Sequence, residues 1–208
     1  MKISYAITVC NEFIEIQKLL TFLLEHKRIK DEIVILYDSK NGDKELLQYL
    51  LKFNKLPNVQ TWRGLDFEGH FANWKNKLNE YCDGDYIFQI DADEIPHKHL
   101  IQELPGILEG NPQVELIHVP RINTVEGLTS EHIQKWGWNV NEKGWVNFPD
   151  VQGRIYKNNM SIRWKNKVHE VITGHKIESS LPPSEEWCLY HPKEIKRQEN
   201  QNEYYNTL

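Results

Sequence analysis

Three acidic residues follow a predicted buried strand in quick succession. In the stretch DGDYIFQIDADEIPHKH (83–99), the apolar segment 86–90 runs into Asp91, Asp93 and Glu94. Ionised carboxylates this close repel one another, and a hydrophobic strand end raises their pKa values further. A bound cation would remove that repulsion. Mg²⁺ and Mn²⁺ take carboxylate oxygens together with substrate phosphates, and the small Ala92 leaves room for a ligand beside the backbone.

The alternative reading of this cluster is structural. Asp and Glu are favoured at helix N-termini, so the same carboxylates could cap a helix that follows them. A bare Asp-x-Asp does not decide between the two, because short motifs match by chance. Its position after a hydrophobic strand, with polar residues after the other predicted strands, favours a metal site.

The elements that position these residues follow from the hydrophobic pattern. Apolar runs predict strands over 3–9, 32–37, 58–62 and 86–90. Apolar residues at helical spacing predict helices between them, over 11–28, 42–54 and 70–82. Strands that alternate with helices in this way imply a Rossmann-like α/β fold, with a mostly parallel sheet and helices on both faces.

Polar side chains come directly after the first two strands as well as after the fourth. They are Thr8, Asn11, Glu12, Asp38, Ser39 and Asp43. Ligands of open parallel sheets bind outside the carboxyl ends of the strands. We therefore expect these side chains to meet Asp91 and Asp93 along one edge of the sheet.

The second half of the chain has a different pattern. A strand is predicted over 114–122, and residues 123–150 carry Trp136, Trp138 and Trp145. Residues 151–172 are typical of a hairpin, with two short strands around the turn KNNM. A short strand within 182–191 and a polar terminal helix after Pro192 complete the chain. No linker divides the sequence, so we predict one domain over 1–208.

Composition excludes several classes of protein. The formal net charge of −5 argues against a nucleic-acid binder. No apolar run approaches the roughly 20 residues of a membrane-spanning helix, and the N-terminus is typical of a first strand rather than a signal peptide. Three scattered cysteines, Cys10, Cys82 and Cys188, predict reduced thiols and a cytoplasmic location.

Several separated motifs carry a resemblance to a known family. The segments ISYAITVCNE, DEIVILYDSKNGD and FANWKNKLNEYCDGDYIFQIDADE resemble the nucleotide-sugar half of family 2 glycosyltransferases of the GT-A fold. The later segments GRIYKN, IRWKNKVHE and LYHPKEIKRQENQNEYY resemble the closing part of the same enzymes. The resemblance implies a GT-A domain with a nucleotide-sugar half over 1–95 and an acceptor half over 96–208. A small C-terminal hairpin and helix complete the expected fold.

The resemblance also implies roles around the donor. Residues expected to line the nucleotide pocket or contact the donor are Thr8, Asn11, Glu12, Asp38, Lys75, Asp91, Ala92 and Arg154. Asp38 would accept a hydrogen bond from the base, Lys75 would steady the diphosphate and Asp91 would face the ribose and the metal. Asp91, Asp93 and His191 would ligate a divalent metal, Mn²⁺ or Mg²⁺, with His169 as the alternative histidine ligand.

The implied reaction transfers a sugar from a nucleoside-diphosphate sugar to an acceptor hydroxyl, with inversion. Glu170 takes the place of the catalytic acidic residue, with His169 beside it. Asp150 is the second candidate for the base, unless it forms a turn after Pro149. The tryptophans could stack on sugar rings or pack in the core. Arg154 and Arg163 could anchor acceptor or phosphate groups, or solvate the hairpin.

Departures from the family leave alternatives open. The segment YDSKNGD lacks the usual DDGSTD spelling, and the short chain leaves room only for a small acceptor subdomain. The acceptor could be a carbohydrate, a lipid-linked group or a protein. A nucleotidyltransferase would also use paired carboxylates, but the first strand is followed by TVCNEFIEI, without a glycine-rich loop. A binding module for nucleotides or carbohydrates, without catalysis, is the other alternative.

Overall fold

The computed structural model describes residues 1–65 and 67–205, without the side chains of 201–205. Eleven strands and six helices contain most of these residues. The strands are Ile3–Val9 (β1), Glu32–Asp38 (β2), Val59–Gly64 (β3), Tyr86–Asp91 (β4), Ile95–Pro96 (β5), Leu116–Glu126 (β6), Val146–Lys157 (β7), Arg163–Lys165 (β8), Val171–Thr173 (β9), Glu178–Ser180 (β10) and Leu189–Glu194 (β11). The helices are Phe13–His26 (α1), Lys44–Phe53 (α2), Phe71–Asn79 (α3), Lys98–Gly110 (α4), Ser130–Trp136 (α5) and Ile195–Tyr205 (α6).

The central sheet has the strand order β3-β2-β1-β4-β7-β6-β11-β5, and β10 also pairs with β6. The first four of these strands are parallel to one another. Strand β7 runs antiparallel to both of its neighbours, β4 and β6. The predicted α/β class with a mostly parallel sheet is therefore confirmed, and β7 is the strand that joins the two halves of the chain.

The parallel strands form where they do because both faces of the sheet are buried. Tyr5 and Ile7 of β1 pack in one core with α1, α2 and α4, whereas Ala6 packs in a second core with α3 on the opposite face. Helix α1 buries Ile16, Leu19, Leu20 and Leu23 at helical spacing. Near-continuous apolar runs are typical of strands covered on both sides, which is why β1, β2 and β4 could be predicted. Strand β3 is the exception, because Trp62 and Arg63 are exposed.

The predicted hairpin over 151–172 is wrong. Strand β7 is hydrogen-bonded to β4 on one side and to β6 on the other, so it has no free edge for the strand that follows it in sequence. Strand β8 pairs instead with β9, in a separate two-stranded sheet. The turn residues were evident in the sequence, but the pairing depends on which edges the rest of the sheet leaves open.

Two helices were not predicted. Helix α4 contains Pro105 and glycines, which argue against a helix by intrinsic propensity. It forms because Leu100, Ile101, Leu104 and Leu108 are buried against the core. Helix α5 has only 7 residues. The terminal helix begins at Ile195, since Pro192 still belongs to β11 and pairs with β6. No helix in the described residues is long and apolar enough to span a bilayer.

Helix α3 fixes the small β8–β9 sheet to the body of the protein. The Asn76 side chain bonds both the backbone N–H and the backbone C=O of Trp164, each at 2.9 Å. The Trp164 indole Nε1 donates to the Tyr156 hydroxyl at 2.9 Å, and that hydroxyl donates to Asn79 Oδ1 at 2.9 Å. These bonds set the position of the loop that continues from β8 to Glu170.

We predict that Tyr156→Phe lowers the free energy of unfolding by about 1–3 kcal/mol, because the buried indole N–H and the Asn79 carbonyl oxygen both lose their partner. The melting temperature should fall by about 2–4 °C for each kcal/mol. Tyr190→Phe is the matched control, since its hydroxyl bonds Glu185 where water can replace it. Equal losses in the two variants, measured by thermal unfolding, would contradict this account of the buried bonds.

Candidate functional site

A cleft of about 1310 Å³ lies at the carboxyl ends of the parallel strands. Thr8 at the end of β1 is in register with Asp91 at the end of β4, so the segments that follow both strands open into the same space. The cleft is lined by all twelve residues of the predicted site, namely Thr8, Asn11, Glu12, Asp38, Lys75, Asp91, Ala92, Asp93, Arg154, His169, Glu170 and His191. The structure thus brings these residues together, while their individual roles stay predictions.

The acidic cluster after β4 is paired with basic side chains of the protein itself. Asp91 Oδ1 lies 3.3 Å from Lys75 Nζ, and Asp91 Oδ2 accepts a hydrogen bond from Arg154 Nη2 at 2.9 Å. The same Arg154 nitrogen donates to Glu94 Oε1 at 2.6 Å. Burial opposes ionisation of Asp91, but the charges of Arg154 and Lys75 outweigh it and hold the pKa of that carboxyl well below its usual range.

The pairing continues in both directions. Lys75 Nζ lies 2.7 Å from Glu170 Oε1. Arg121 Nη1 donates to Glu94 Oε1 at 3.0 Å, and Arg121 Nη2 donates to Asp150 Oδ2 at 2.7 Å. Acidic and basic groups therefore alternate through an array that we call the charge chain: Glu170, Lys75, Asp91, Arg154, Glu94, Arg121 and Asp150.

Helix capping does not explain the acidic cluster. The side chain that caps α4 is His97, which accepts from the backbone N–H of His99 at 3.1 Å. Glu94 instead closes the turn after β4: its Oε2 accepts from the Asp91 N–H at 3.0 Å, and its own N–H donates to the Asp91 carbonyl at 2.9 Å. The capping interpretation is wrong.

Asp93 differs from its two acidic neighbours, because it faces His191. Asp93 Oδ2 lies 3.4 Å from His191 Nε2. Burial raises the pKa of Asp93, but the hydrogen bond and charge of His191 outweigh this and bring the pKa to about 2. His191 Nδ1 lies 2.6 Å from Asn123 Oδ1, a contact that orients the ring and turns Nε2 towards Asp93.

The cleft offers few groups that could hold a divalent metal. Among the side chains of residues 1–65 and 67–200, no three of His, Cys, Asp and Glu are grouped as a metal site. Asp93 and His191 would provide two ligands, whereas both oxygens of Asp91 are held by Lys75 and Arg154. Two protein ligands suit Mg²⁺ or Mn²⁺, which complete their shell with phosphate oxygens and water.

Arg197 is a site residue that the sequence analysis missed. It lies on α6, which was predicted only as a polar terminal helix, yet its Nη2 is 3.2 Å from Asp93 Oδ2 and 3.7 Å from Glu12 Oε1. Its Nη1 donates to Glu15 Oε1 at 2.9 Å. No local motif marks this arginine, because its three partners lie more than a hundred residues away in sequence.

Glu170 and Lys75 lie together in the lining of the cleft. Lys75 is only 6% exposed, and its ammonium group lies over the Trp164 ring, 4.6 Å from the centroid. His169 has a left-handed backbone with φ of 52°, which is uncommon for a residue other than glycine. This turn directs Glu170 into the cleft, where its carboxylate reaches Lys75.

Two predicted nucleotide-pocket carboxylates shape their own loops. Asp38 Oδ1 accepts from the backbone N–H groups of Lys40 and Asn41, at 3.0 and 3.2 Å, and its Oδ2 accepts from the Asn41 amide at 2.7 Å. A Cβ on Gly42 would lie 2.3 Å from the Asp38 carbonyl oxygen, so this turn requires glycine. Glu12 Oε2 accepts from two consecutive backbone N–H groups after β1.

Asp150 does not form the turn that was expected after Pro149. It lies within β7 opposite Arg121, and its Oδ2 also accepts from the Asn123 side chain at 2.8 Å. Its carboxylate is a member of the charge chain and not one of the residues found to line the cleft. Glu170 is therefore the better placed of the two candidate bases.

The tryptophan segment and Arg163 have separate surroundings. Trp138 lines the cleft and packs on Trp136, with ring centroids 4.6 Å apart. Trp145 packs on Phe148. Arg163 donates to backbone carbonyls of the loop before β8. It therefore binds that loop and is not one of the residues found to line the cleft. Of the three tryptophans, Trp138 is the one placed to meet a substrate.

Comparison with known proteins agrees with this geometry. The family model for glycosyl transferase family 2 matches residues 4–186, and the chain belongs to that family. No curated protein sequence matches significantly. Among solved structures, residues 1–349 of TarS from S. aureus superpose with a TM-score of 0.66 at 13% identity, covering 92% of this chain and 60% of that one. The same TarS fragment in complex with UDP-GlcNAc gives a TM-score of 0.67 at 14% identity, covering 93% and 59%.

The chain thus spans about 60% of the TarS fragment. Identity this low establishes the fold alone, and the fold is the predicted GT-A fold. The resemblance to family 2 glycosyltransferases is confirmed.

The pairing of Asp150 gives a prediction for pH. Burial opposes its ionisation, but the charge of Arg121 and hydrogen bonds from Asn123, Arg121 and Gln152 outweigh this and lower the pKa of Asp150. A carboxyl with a lowered pKa stabilises the fold above its unfolded pKa of about 3.9, and that contribution is lost as pH falls further. Asp150→Asn should lower the free energy of unfolding by about 1–3 kcal/mol at pH 7. The difference from wild type should narrow at pH 3.

Urea unfolding at the two pH values measures this difference. Glu185→Gln is the control, because it removes an exposed ion pair with Lys143 and should leave stability near the wild-type value. A deficit for Asp150→Asn that is the same at pH 3 as at pH 7 would show that the charge of Asp150 does not stabilise the fold.

Proposed function

We propose that the protein is a metal-dependent, inverting glycosyltransferase that moves a hexose from a nucleoside-diphosphate sugar to an acceptor hydroxyl. The observation that carries the proposal is the pair Asp93 and His191, held beside Asp91 in the cleft at the carboxyl ends of β1 and β4. Membership of glycosyl transferase family 2 supports the reaction class.

The donor is proposed to bind across the ends of β1, β2 and β4. Thr8, Asn11, Glu12 and Asp38 would surround the nucleoside, and Asp91 would face the ribose and the metal. Ala92 is small and buried, so the backbone after β4 can be approached closely. Lys75 and Arg154 would oppose the negative charge of the diphosphate. TarS is recorded in complex with UDP-GlcNAc, which makes UDP a reasonable first probe for this chain.

The metal is proposed to be held by Asp93 and His191. When bound, it supplies a positive charge that stabilises the leaving diphosphate. Asp93 is suited to this role because a pKa of about 2 keeps its carboxylate ionised at neutral pH. Asn123 keeps the His191 ring turned towards Asp93. Asp91 can become a direct ligand only if one of its ion pairs opens, so we assign it a supporting position.

Glu170 is proposed as the general base. The acceptor oxygen forms a bond to the anomeric carbon as the bond from that carbon to the diphosphate oxygen breaks. The acceptor proton passes to the Glu170 carboxylate, and the electron pair of the broken bond leaves with the diphosphate. Lys75, 2.7 Å from Glu170, orients the base before the reaction. His169, the next residue in the same turn, would help to position it.

The acceptor is proposed to be a carbohydrate. The acceptor side of the cleft is lined mostly by uncharged side chains: Asn123, Thr124, Val125, Trp138, Val146, Asn147 and Gln152. Amide groups match the hydrogen bonds of sugar hydroxyls, and an indole ring packs well on an apolar sugar face. A cytoplasmic location is part of the proposal, because Cys10, Cys82 and Cys188 are free thiols.

A thermal-unfolding screen tests the donor site. UDP or GDP at 100 times its Kd, with Mn²⁺, should stabilise the protein by about 2.7 kcal/mol. That corresponds to a rise in melting temperature of about 5–10 °C. The rise should require Mn²⁺ and should be lost in Asp93→Ala, while Glu103→Ala on the exposed face of α4 should keep it. A metal-independent rise of the same size in Asp93→Ala would overturn the metal assignment.

Replacement of the proposed base separates chemistry from binding. Glu170→Gln should reduce the rate of UDP release from UDP-hexoses, with methyl glycosides as acceptors, by about 10²–10⁴-fold. The Kd for UDP should change by only a few fold. Glu68→Gln is the control, because Glu68 also lines the cleft but belongs to the loop before α3 and not to the proposed catalytic turn. Full activity in Glu170→Gln would rule out Glu170 as the base.

A further inference from the structure

Arg197 crosses the mouth of the cleft and binds three carboxylates from two other segments. Its Nη2 lies 3.2 Å from Asp93 Oδ2, on the turn after β4. The same group reaches Glu12 at 3.7 Å and Glu15 at 2.9 Å, both at the start of α1. One guanidinium therefore shares the Asp93 oxygen that His191 also contacts.

Two other cations that line the cleft, Lys75 and Arg154, are more deeply buried than Arg197. Lys75 and Arg154 are 6% and 4% exposed and are each fixed between two carboxylates of the charge chain. Arg197 is 37% exposed, so its side chain can turn in solvent without breaking a buried network. Of these three cations, Arg197 is the one best able to follow a ligand.

Helix α6 is anchored independently of Arg197. The Ile195 side chain packs against Gly127, where an added Cβ would lie 3.0 Å from Ile195 Cγ2. Glu199, one turn further on, lies 3.6 Å from His132 Nε2 on α5. A movement of the Arg197 side chain thus leaves the helix in place.

We propose that Arg197 is a ligand of the donor diphosphate that competes with the metal for Asp93, so that metal and diphosphate bind cooperatively. The inference rests on the proposed function. A divalent cation on Asp93 repels the guanidinium, which releases it towards the cleft. A diphosphate beside Asp93 offers that guanidinium a bidentate partner, which arginine is well shaped to bind.

This competition predicts opposite effects of one substitution. In Arg197→Gln, Mn²⁺ alone should bind about two- to fivefold more tightly, because a half-exposed ion pair no longer occupies Asp93. UDP or GDP in the presence of Mn²⁺ should bind about tenfold more weakly, because a charged hydrogen bond to phosphate is lost. The corresponding monophosphates should be affected less.

Isothermal titration of the full chain measures the three affinities. Lys196→Gln is the matched control, since it removes a neighbouring exposed charge of α6 and should change none of them. Arg197→Lys, which keeps the charge but not the planar fork, should give intermediate values. Thermal unfolding of each variant establishes that it is folded before titration.

The outcomes separate this inference from the proposed function. If wild type binds Mn²⁺ and a nucleoside diphosphate, and Arg197→Gln weakens Mn²⁺ binding or leaves diphosphate binding unchanged, the role of Arg197 is overturned while the donor site stands. If wild type binds neither UDP nor GDP with Mn²⁺, the proposed function falls and the inference falls with it.

Discussion

The site depends on the burial of many charges in one connected array. Four carboxylates and three basic groups alternate from Glu170 to Asp150, and several of them are almost fully buried. Removing one member of such an array leaves a buried charge unpaired, which is costly. The strands can therefore lie only where every charge meets its partner. Strand β7 satisfies this condition by running antiparallel between β4 and β6, so that Arg154 reaches Asp91 and Arg121 faces Asp150.

The charge chain explains how so acidic a strand end would receive the anionic donor of the proposed function. Lys75, Arg154 and Arg121 nearly balance the carboxylates beneath the cleft and fix Asp91 and Glu170 in place. Asp93 and His191 are not part of this array. Asp93 faces the cleft from the turn after β4, and His191 faces it from β11. In the proposed function, the charge chain holds the geometry of the site and the Asp93–His191 pair binds the metal.

Much of the first half could be predicted from the sequence, because strands buried on both faces read as continuous apolar runs. The convergence of the carboxyl ends of parallel strands predicted that Thr8, Asn11, Glu12, Asp38, Asp91 and Asp93 share one cleft, although Ser39 and Asp43 do not line it. The remaining six site residues were predicted from the resemblance to the family. The second half was harder. The order β4-β7-β6 pairs β7 with β4, a strand from the first half of the chain, and no local pattern shows that β8 pairs with β9 rather than with β7. The partners of Asp91, Arg154 and Arg197 are set by this long-range topology, so the charge chain and the contact of Arg197 with Asp93 were not predicted.

The most direct test of the account is anomalous diffraction at the manganese edge from a crystal soaked with Mn²⁺ and the nucleoside diphosphate that stabilises the protein. The account predicts one manganese peak within bonding distance of both Asp93 and His191, with phosphate oxygens completing its shell and Arg154 still paired with Glu94. A manganese peak remote from Asp93, or a nucleotide bound outside the cleft at the ends of β1 and β4, would contradict it.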